Sequence, residues 1–319
     1  MTKNIFEYHF GAGQGGSSWP SATRYHLWRS PIAIHKIYNH LPTLGLYLKQ
    51  FVLFSSLLFV SNVVRSQSNS QLKEIKVLSD STHDFAVDNL GNIYLVNASQ
   101  QVKKLNNNYD SVGVFNNVRR YGKLDYIDAA NPLKVLLFYK DFGTIVILDR
   151  FLNTRSAIDV RKSDILQCGA IAQSYDNNIW VYDELESKIK KLDDNGTVLL
   201  ESPDFRIVFD DPPRLDKLED YNKYVYGYDS SKGLLVMDYF GAYRNLVAFK
   251  GWKNVHGISK GIVATDATGL VYYQPGNINT QHLSLPAAIL QSKKIRINGS
   301  LLYALQNDGR LHIYQLSDF

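Results

Sequence analysis

The chain has 319 residues, 45% of them hydrophobic and 13% aromatic, enough to build a large core without staples. Its net charge of +5 belongs entirely to residues 1–66, where Lys3, Arg24, Arg29, Lys36, Lys49 and Arg65 stand against Glu7; residues 67–319 carry 29 basic and 29 acidic side chains. A neutral body excludes the electrostatic footprint of a nucleic-acid binder, and a single cysteine, Cys168, excludes an internal disulfide.

Residues 1–47 show no sustained periodicity and read as an over-extended start or an unstructured leader. They contain Gly11-Ala12-Gly13-Gln14-Gly15-Gly16, which matches a dinucleotide fingerprint in spelling only. That mechanism needs a helix start after the glycines and an acidic residue further on. Here Ser17-Ser18-Trp19-Pro20 follows, and no acid stands at the required distance. Residues 48–66 read as a signal peptide. The uncharged run from Phe51 to Val64 spans 14 residues, too short for a membrane span of about 20 and suited to a secretory apolar core. The mature body is expected to begin at Gln67, with no direct membrane span after cleavage.

Beyond the leader, a β-branched and aromatic run closed by Asx recurs six times. The closing residues are Asn97, Asp141, Asp183, Asp229, Asp266 and Asn307, spaced 44, 42, 46, 37 and 41 apart. A period near 40 built of short strands is the signature of propeller blades. Each repeat reads as four strands with alternating burial, separated by turns rich in Asn, Asp and Gly, which tolerate left-handed backbone. The first repeat starts near Asp84, the second near Leu124, the third near Gln167, the fourth near Leu215 and the fifth near Asn254. The sixth starts near Ile295 and runs out after a third strand, Leu311 to Leu316. The alternating segment Leu72 to Leu78 lies before the first repeat and is expected to supply the missing outer strand. The expectation is therefore all-β: a six-bladed β-propeller over 67–319, closed by an N-terminal strand pairing in the last blade.

Within this frame few residues carry chemistry. Asp84, Asp125, Asp216 and His256 start inner strands, and a ring of carboxylates and imidazole at a channel mouth suits a divalent cation. The other two blades offer Cys168 and Arg296 instead. Cys168, beside Gly169 and Ala170, reads as a small buried filler. No G-x-S-x-G elbow and no H-E-x-x-H occurs, and no cofactor is expected. Aromatic side chains are the stronger lead, because Tyr and Phe flanked by polar residues are common at protein contacts. Phe138, Tyr139 and Phe142 crowd a hairpin in the second blade. Tyr226, Tyr228 and Tyr239 crowd the fourth. Phe205 and Phe209 lie in the long connection 203–213, and long structured loops often carry function.

The segments Asp125-Tyr126-Ile127, Asn131-Pro132-Leu133-Lys134-Val135-Leu136-Leu137-Phe138-Tyr139-Lys140-Asp141-Phe142 and Ile147-Leu148-Asp149 resemble a family of exported propeller-like proteins of bacteria that have a type 9 secretion system. Val87-Asp88-Asn89-Leu90-Gly91-Asn92-Ile93-Tyr94 shares the resemblance, which covers about 67–319. The family is associated with the periplasmic plug subunit of the outer-membrane translocon. The resemblance implies a non-catalytic periplasmic protein, associated with the outer membrane, whose protein partner is a large translocon. It brings no catalytic residues with it. The alternative is a propeller hydrolase, lactonase or lyase with a metal at the channel mouth, or a small-ligand-binding sensor.

Overall fold

A computed structural model describes residues 72–316 apart from 80, 259–260 and 278. The expected leader, signal peptide and start of the mature body lie outside the described residues. The described chain forms six four-stranded antiparallel sheets. Blade one contains β2 (Thr82–Val87), β3 (Ile93–Asn97), β4 (Val102–Leu105) and β5 (Ser111–Phe115). Blade two contains β6 (Tyr126–Asn131), β7 (Lys134–Tyr139), β8 (Thr144–Leu148) and β9 (Thr154–Asp159). Blade three contains β10 (Cys168–Gln173), β11 (Ile179–Asp183), β12 (Lys188–Leu192) and β13 (Val198–Glu201). Blade four contains β14 (Lys217–Tyr221), β15 (Tyr224–Asp229), β16 (Gly233–Met237) and β17 (Tyr243–Val247). Blade five contains β18 (Lys253–Ile258), β19 (Gly261–Thr265), β20 (Gly269–Tyr273) and β21 (Gln281–Ser284).

Blade six joins both ends of the described chain. It orders β22 (Lys294–Asn298), β23 (Leu301–Leu305), β24 (Leu311–Leu316) and then β1 (Leu72–Leu78). Strand β1 runs antiparallel to β24, from Leu72 opposite Leu316 to Leu78 opposite Leu311, with an irregularity between Glu74 and Lys76. Glu74 Oε2 lies 3.0 Å from His312 Nδ1 across the pair. The expected six-bladed ring and its closure by 72–78 are both present.

The turns form for the reason their composition suggests. Asp88 Oδ1 accepts from the backbone N–H of Leu90 and Asn92, each at 2.9 Å. Asp149, Asp193 and Asp238 repeat that pattern in the next three blades. Of the six recurring Asx residues, Asn97, Asp183, Asp229 and Asp266 accept from the turn that follows them. Asp141 instead sits in a 3-10 turn, Lys140–Phe142, and Asp125 takes over as acceptor from Lys140 N–H at 2.8 Å. In the sixth blade the acceptor is Asp308, which receives Arg310 N–H at 3.0 Å. Two single-turn helices, α1 (Val118–Tyr121) and α2 (Ala287–Leu290), sit in connections between blades. The strand periodicity gives no sign of them.

The core is six apolar layers, one between each pair of neighbouring blades. Tyr94 and Val96 of blade one meet Ile127, Val135 and Leu137 of blade two. Trp180 and Tyr182 of blade three meet Leu218, Val225 and Leu235 of blade four. Phe85 and Leu95 of blade one meet Tyr303 and Ile313 of blade six, and Leu78 packs on that layer. Leu72, at the other end of β1, packs on the layer between blades five and six.

Removing 72–78 therefore strips six strand pairings and two packing leucines from the closing sheet. A loss of about 3–5 kcal/mol is expected from the apolar area alone, or roughly 10 °C or more in the melting midpoint for a ring of this size. Thermal melting by circular dichroism checks it. An unchanged midpoint would show that the other five blades hold together without closure.

Candidate functional site

Every blade begins at its inner strand, so the six connections entering inner strands share one face of the ring with the β-turns between second and third strands. We call this the upper face; the turns leaving the inner strands lie on the lower face. Inner-strand side chains that alternate toward the axis line the channel between them.

A cavity of about 550 Å³ opens at the upper end of the channel, and Asp84, Asp125 and Asp216 all line it. A second cavity of about 350 Å³ lies at the lower end, lined by Asp88, Glu219, Tyr221, Tyr272 and His256. The expected metal quartet is thus divided. Its three aspartates share the upper cavity, but His256 lies at the lower one. The physical reason is depth along the strand: Asn254, two residues earlier in β18, occupies the mouth position, and His256 sits further in. His256 is 2% exposed. Its Nδ1 lies 2.6 Å from Asn254 O, and its Nε2 accepts from Ile297 N–H at 3.0 Å. Nε2 ties β18 to β22, and Nδ1 is held within β18 itself. Among the described residues no three His, Cys, Asp or Glu side chains form a metal cluster. Asp84 is instead paired with Lys294 at 2.6 Å.

Between the two cavities the channel carries charge that the alternation of the inner strands places there. Lys217 contacts the Tyr126 hydroxyl, lies 3.7 Å from the centre of the Tyr126 ring, and comes 3.0 Å from Glu219 Oε1. Asp128 accepts from Ala130 N–H at 2.8 Å and from Gln173 N–H of the next blade at 2.7 Å. Arg296 of β22 lines both cavities. Burial opposes its charge, but Glu219, then Tyr126, Asp128 and Asp84 outweigh burial and raise its pKa. Burial lowers the pKa of Lys217 and Lys294, with Arg296 adding to the effect in both. The i, i+2 charges Lys217/Glu219 and Lys294/Arg296 are the sequence signal that could have found this network.

Five of the eight expected partner-binding aromatics are core. Phe138, Tyr139, Phe205, Tyr226 and Tyr228 are each at most 5% exposed. Second strands such as β7 and β15 are flanked in their own sheet and covered on both faces by neighbouring blades, so nearly every position is buried. Phe205 anchors the 203–213 connection into the layer between blades three and four. Phe209 packs edge-on against Tyr243 at 5.1 Å, and Tyr239 stacks on Tyr175 at 4.1 Å. Phe142 is 49% exposed on the upper face. Cys168 is buried, and burial pushes its thiol up to about 12, as expected of a filler rather than a nucleophile.

Exposed apolar residues not singled out by the sequence accompany Phe142. Leu166, Leu185, Ile207 and Val208 all lie on upper-face loops of the same sector, with Ile207 80% and Leu166 69% exposed. Neighbouring loops are bonded to one another. Lys140 Nζ reaches Glu184 Oε1 at 3.0 Å, Glu184 N–H donates to Gln167 O at 2.9 Å, and Phe205 N–H donates to Ser187 O at 3.0 Å. Arg206 Nη2 adds a bond to Glu186 O at 3.2 Å. On the lower face, Leu90, Leu133, Phe151, Tyr175 and Phe240 are exposed but spread over four blades.

The neutral His256 has a pH consequence. Burial first, and then the Arg296 charge, hold its imidazole well below the ordinary value. Below about pH 6.5 the unfolded chain takes up a proton that the folded ring refuses, so stability falls as pH drops. Relative to His256→Gln, the native ring should lose about 1.4 kcal/mol per pH unit between pH 6 and pH 5. Urea unfolding across that range checks it; parallel slopes for the two proteins would mean that the imidazole takes its proton in place.

No family model matches this chain, and no curated protein matches it in sequence. Solved structures do resemble it. A virginiamycin B lyase from Staphylococcus aureus, bound to quinupristin, superposes with a TM-score of 0.55 at 10% identity, over 77% of this chain and 99% of its own. A streptogramin B lyase gives 0.53 at 12% identity, over 78% and 88%. PorZ, described as an essential bacterial surface component of the type-IX secretion system of Porphyromonas gingivalis, gives 0.51 at 13% identity. That match covers 75% of this chain but 32% of PorZ. At these identities the matches show the β-propeller fold and leave activity to the residues of this chain.

Proposed function

We propose that the protein is a non-catalytic, exported propeller that binds a protein partner in the bacterial envelope through the upper face of blades two to four. The observation that carries this reading is the sector of Phe142, Leu166, Leu185, Ile207 and Val208. Exposed apolar side chains on loops bonded to one another form a surface that loses little conformational freedom on docking. Charged residues between them, such as Lys140, Glu184 and Arg206, would give orientation rather than affinity.

The finer reading is that the ring plugs or gates the periplasmic end of an outer-membrane protein-secretion channel. It rests on the resemblance of the second-blade segment to the plug family of the type 9 system. A closed ring with a charge-filled axis is a suitable cap, because it presents a stiff disc with its own channel obstructed. The similarity in fold to PorZ is consistent with this reading. The enzyme alternative loses its proposed imidazole ligand, since both nitrogens of His256 serve the scaffold.

The test is capture from envelope membranes. The full chain is expected to co-purify with a very large outer-membrane protein. A variant with Phe142, Leu166 and Ile207 changed to Glu should lose at least about 90% of that partner, as a patch core normally dominates binding. Its melting midpoint should stay within about 2 °C, because exposed positions cost little stability. Full retention of the partner by a folded variant would remove this face from the reading.

A further inference from the structure

We infer that the upper cavity is a binding site for a small organic oxyanion, a molecule bearing a carboxylate or phosphate group, with Arg296 as its receptor. Three channel carboxylates act on Arg296: Glu219, Asp128 and Asp84. Asp84 is paired with Lys294 at 2.6 Å, and Glu219 Oε1 lies 3.0 Å from Lys217 as an ion pair without a hydrogen bond. Both oxygens of Asp128 accept backbone N–H groups. Among the described residues the Arg296 guanidinium makes no hydrogen bond, and no carboxylate oxygen comes within 4 Å of it. A guanidinium has five donors in a rigid fork that matches carboxylate and phosphate. Arg296 is half-buried, so its donors reach the cavity, where an oxyanion can replace water on them. The channel carboxylates hold Arg296 charged without reaching it, which leaves the fork available.

The surroundings fit the same ligand. The cavity that Arg296 lines has about 550 Å³, within the usual range for small-molecule sites. Five basic side chains line it against three aspartates, so it favours an anion. Lys217 and Lys294 flank the axis, and Lys123 and Lys293 stand toward the mouth. One wall is apolar, made by Tyr228, Trp252 and Val255, each nearly buried. Trp252 is held flat by stacking on Phe249 at 4.1 Å. An oxyanion at the axis and an apolar or planar body against Trp252 would satisfy both walls.

The test is titration calorimetry of the full chain with citrate and with inorganic phosphate, against chloride of matched ionic strength. Saturable binding of at least one is expected in the range of about 0.01–1 mM. Tighter citrate binding assigns the carboxylate, and tighter phosphate binding assigns a phosphate ester. Arg296→Met should weaken binding about 30-fold or more, and Arg296→Lys about 10-fold, because the bidentate fork is lost. Should Arg296→Met fail to fold, the native protein answers through phenylglyoxal. The reagent should modify Arg296 in the free protein, and saturating anion should slow that reaction while leaving the exposed Arg119 and Arg120 unaffected, as read by mass spectrometry. The proposal is overturned by titrations that match chloride, by unchanged affinity in a folded Arg296→Met protein, or by an Arg296 that phenylglyoxal never reaches or that the anions do not protect.

Discussion

The antiparallel pairing of β1 with β24 is the constraint on which the rest of the ring depends. Each apolar layer lies between two blades, so every blade needs two neighbours. An open array of six would expose two such faces, and among the described residues every strand already belongs to a blade. Pairing Leu72–Leu78 beside Leu311–Leu316 brings blade six against blade one and completes the last layer through Phe85, Leu95, Tyr303 and Ile313. The same pairing covers an edge that would otherwise recruit another chain.

Closure has an electrostatic consequence. Once the ring is complete, six inner strands face one another across a narrow axis, and their inward side chains have little bulk water to solvate them. Charges placed there must meet each other. Lys217 meets Glu219 and Tyr126, and Lys294 meets Asp84. Asp128 is absorbed by backbone N–H groups, and His256 stays neutral between two backbone partners. Arg296 is the exception. A buried ionic network of this kind adds little net stability, so its presence bears more on specificity or binding than on holding the fold.

The upper face and the axis therefore offer two different surfaces. The sector from Phe142 to Val208 is broad, apolar and built on loops tied to one another, which suits a macromolecule. The cavity beside it is small, cationic and walled on one side by Trp252, which suits a small ligand. Both open on the same side of the ring, so a bound partner would sit over or beside the cavity mouth.

Much of this architecture was legible in the residues alone. The recurrence of β-branched runs closed by Asx set the blade number, because turn chemistry is local and four of the six Asx residues cap the turn that follows them. The alternation of Leu72 to Leu78 and the absent last strand together implied the closing pair. The site was less legible. Phe138, Tyr139, Phe205, Tyr226 and Tyr228 look like contact residues in a linear reading, since aromatic character says nothing about how many neighbours a strand has. Burial of the second strands on both faces is imposed by adjacent blades that lie about 40 residues away in the chain. His256 looked equivalent to Asp84, Asp125 and Asp216, yet a two-residue difference in depth along an inner strand carried it to the other cavity. Arg296 looked like a gap in a metal ring. The sequence by itself determined the repeat, the turns and the closing strand, all of which depend on local propensity and periodicity. Only the tertiary structure decided which charges share the axis, which of them remain unpaired and which apolar side chains reach solvent, because those depend on distances between blades that no local pattern encodes.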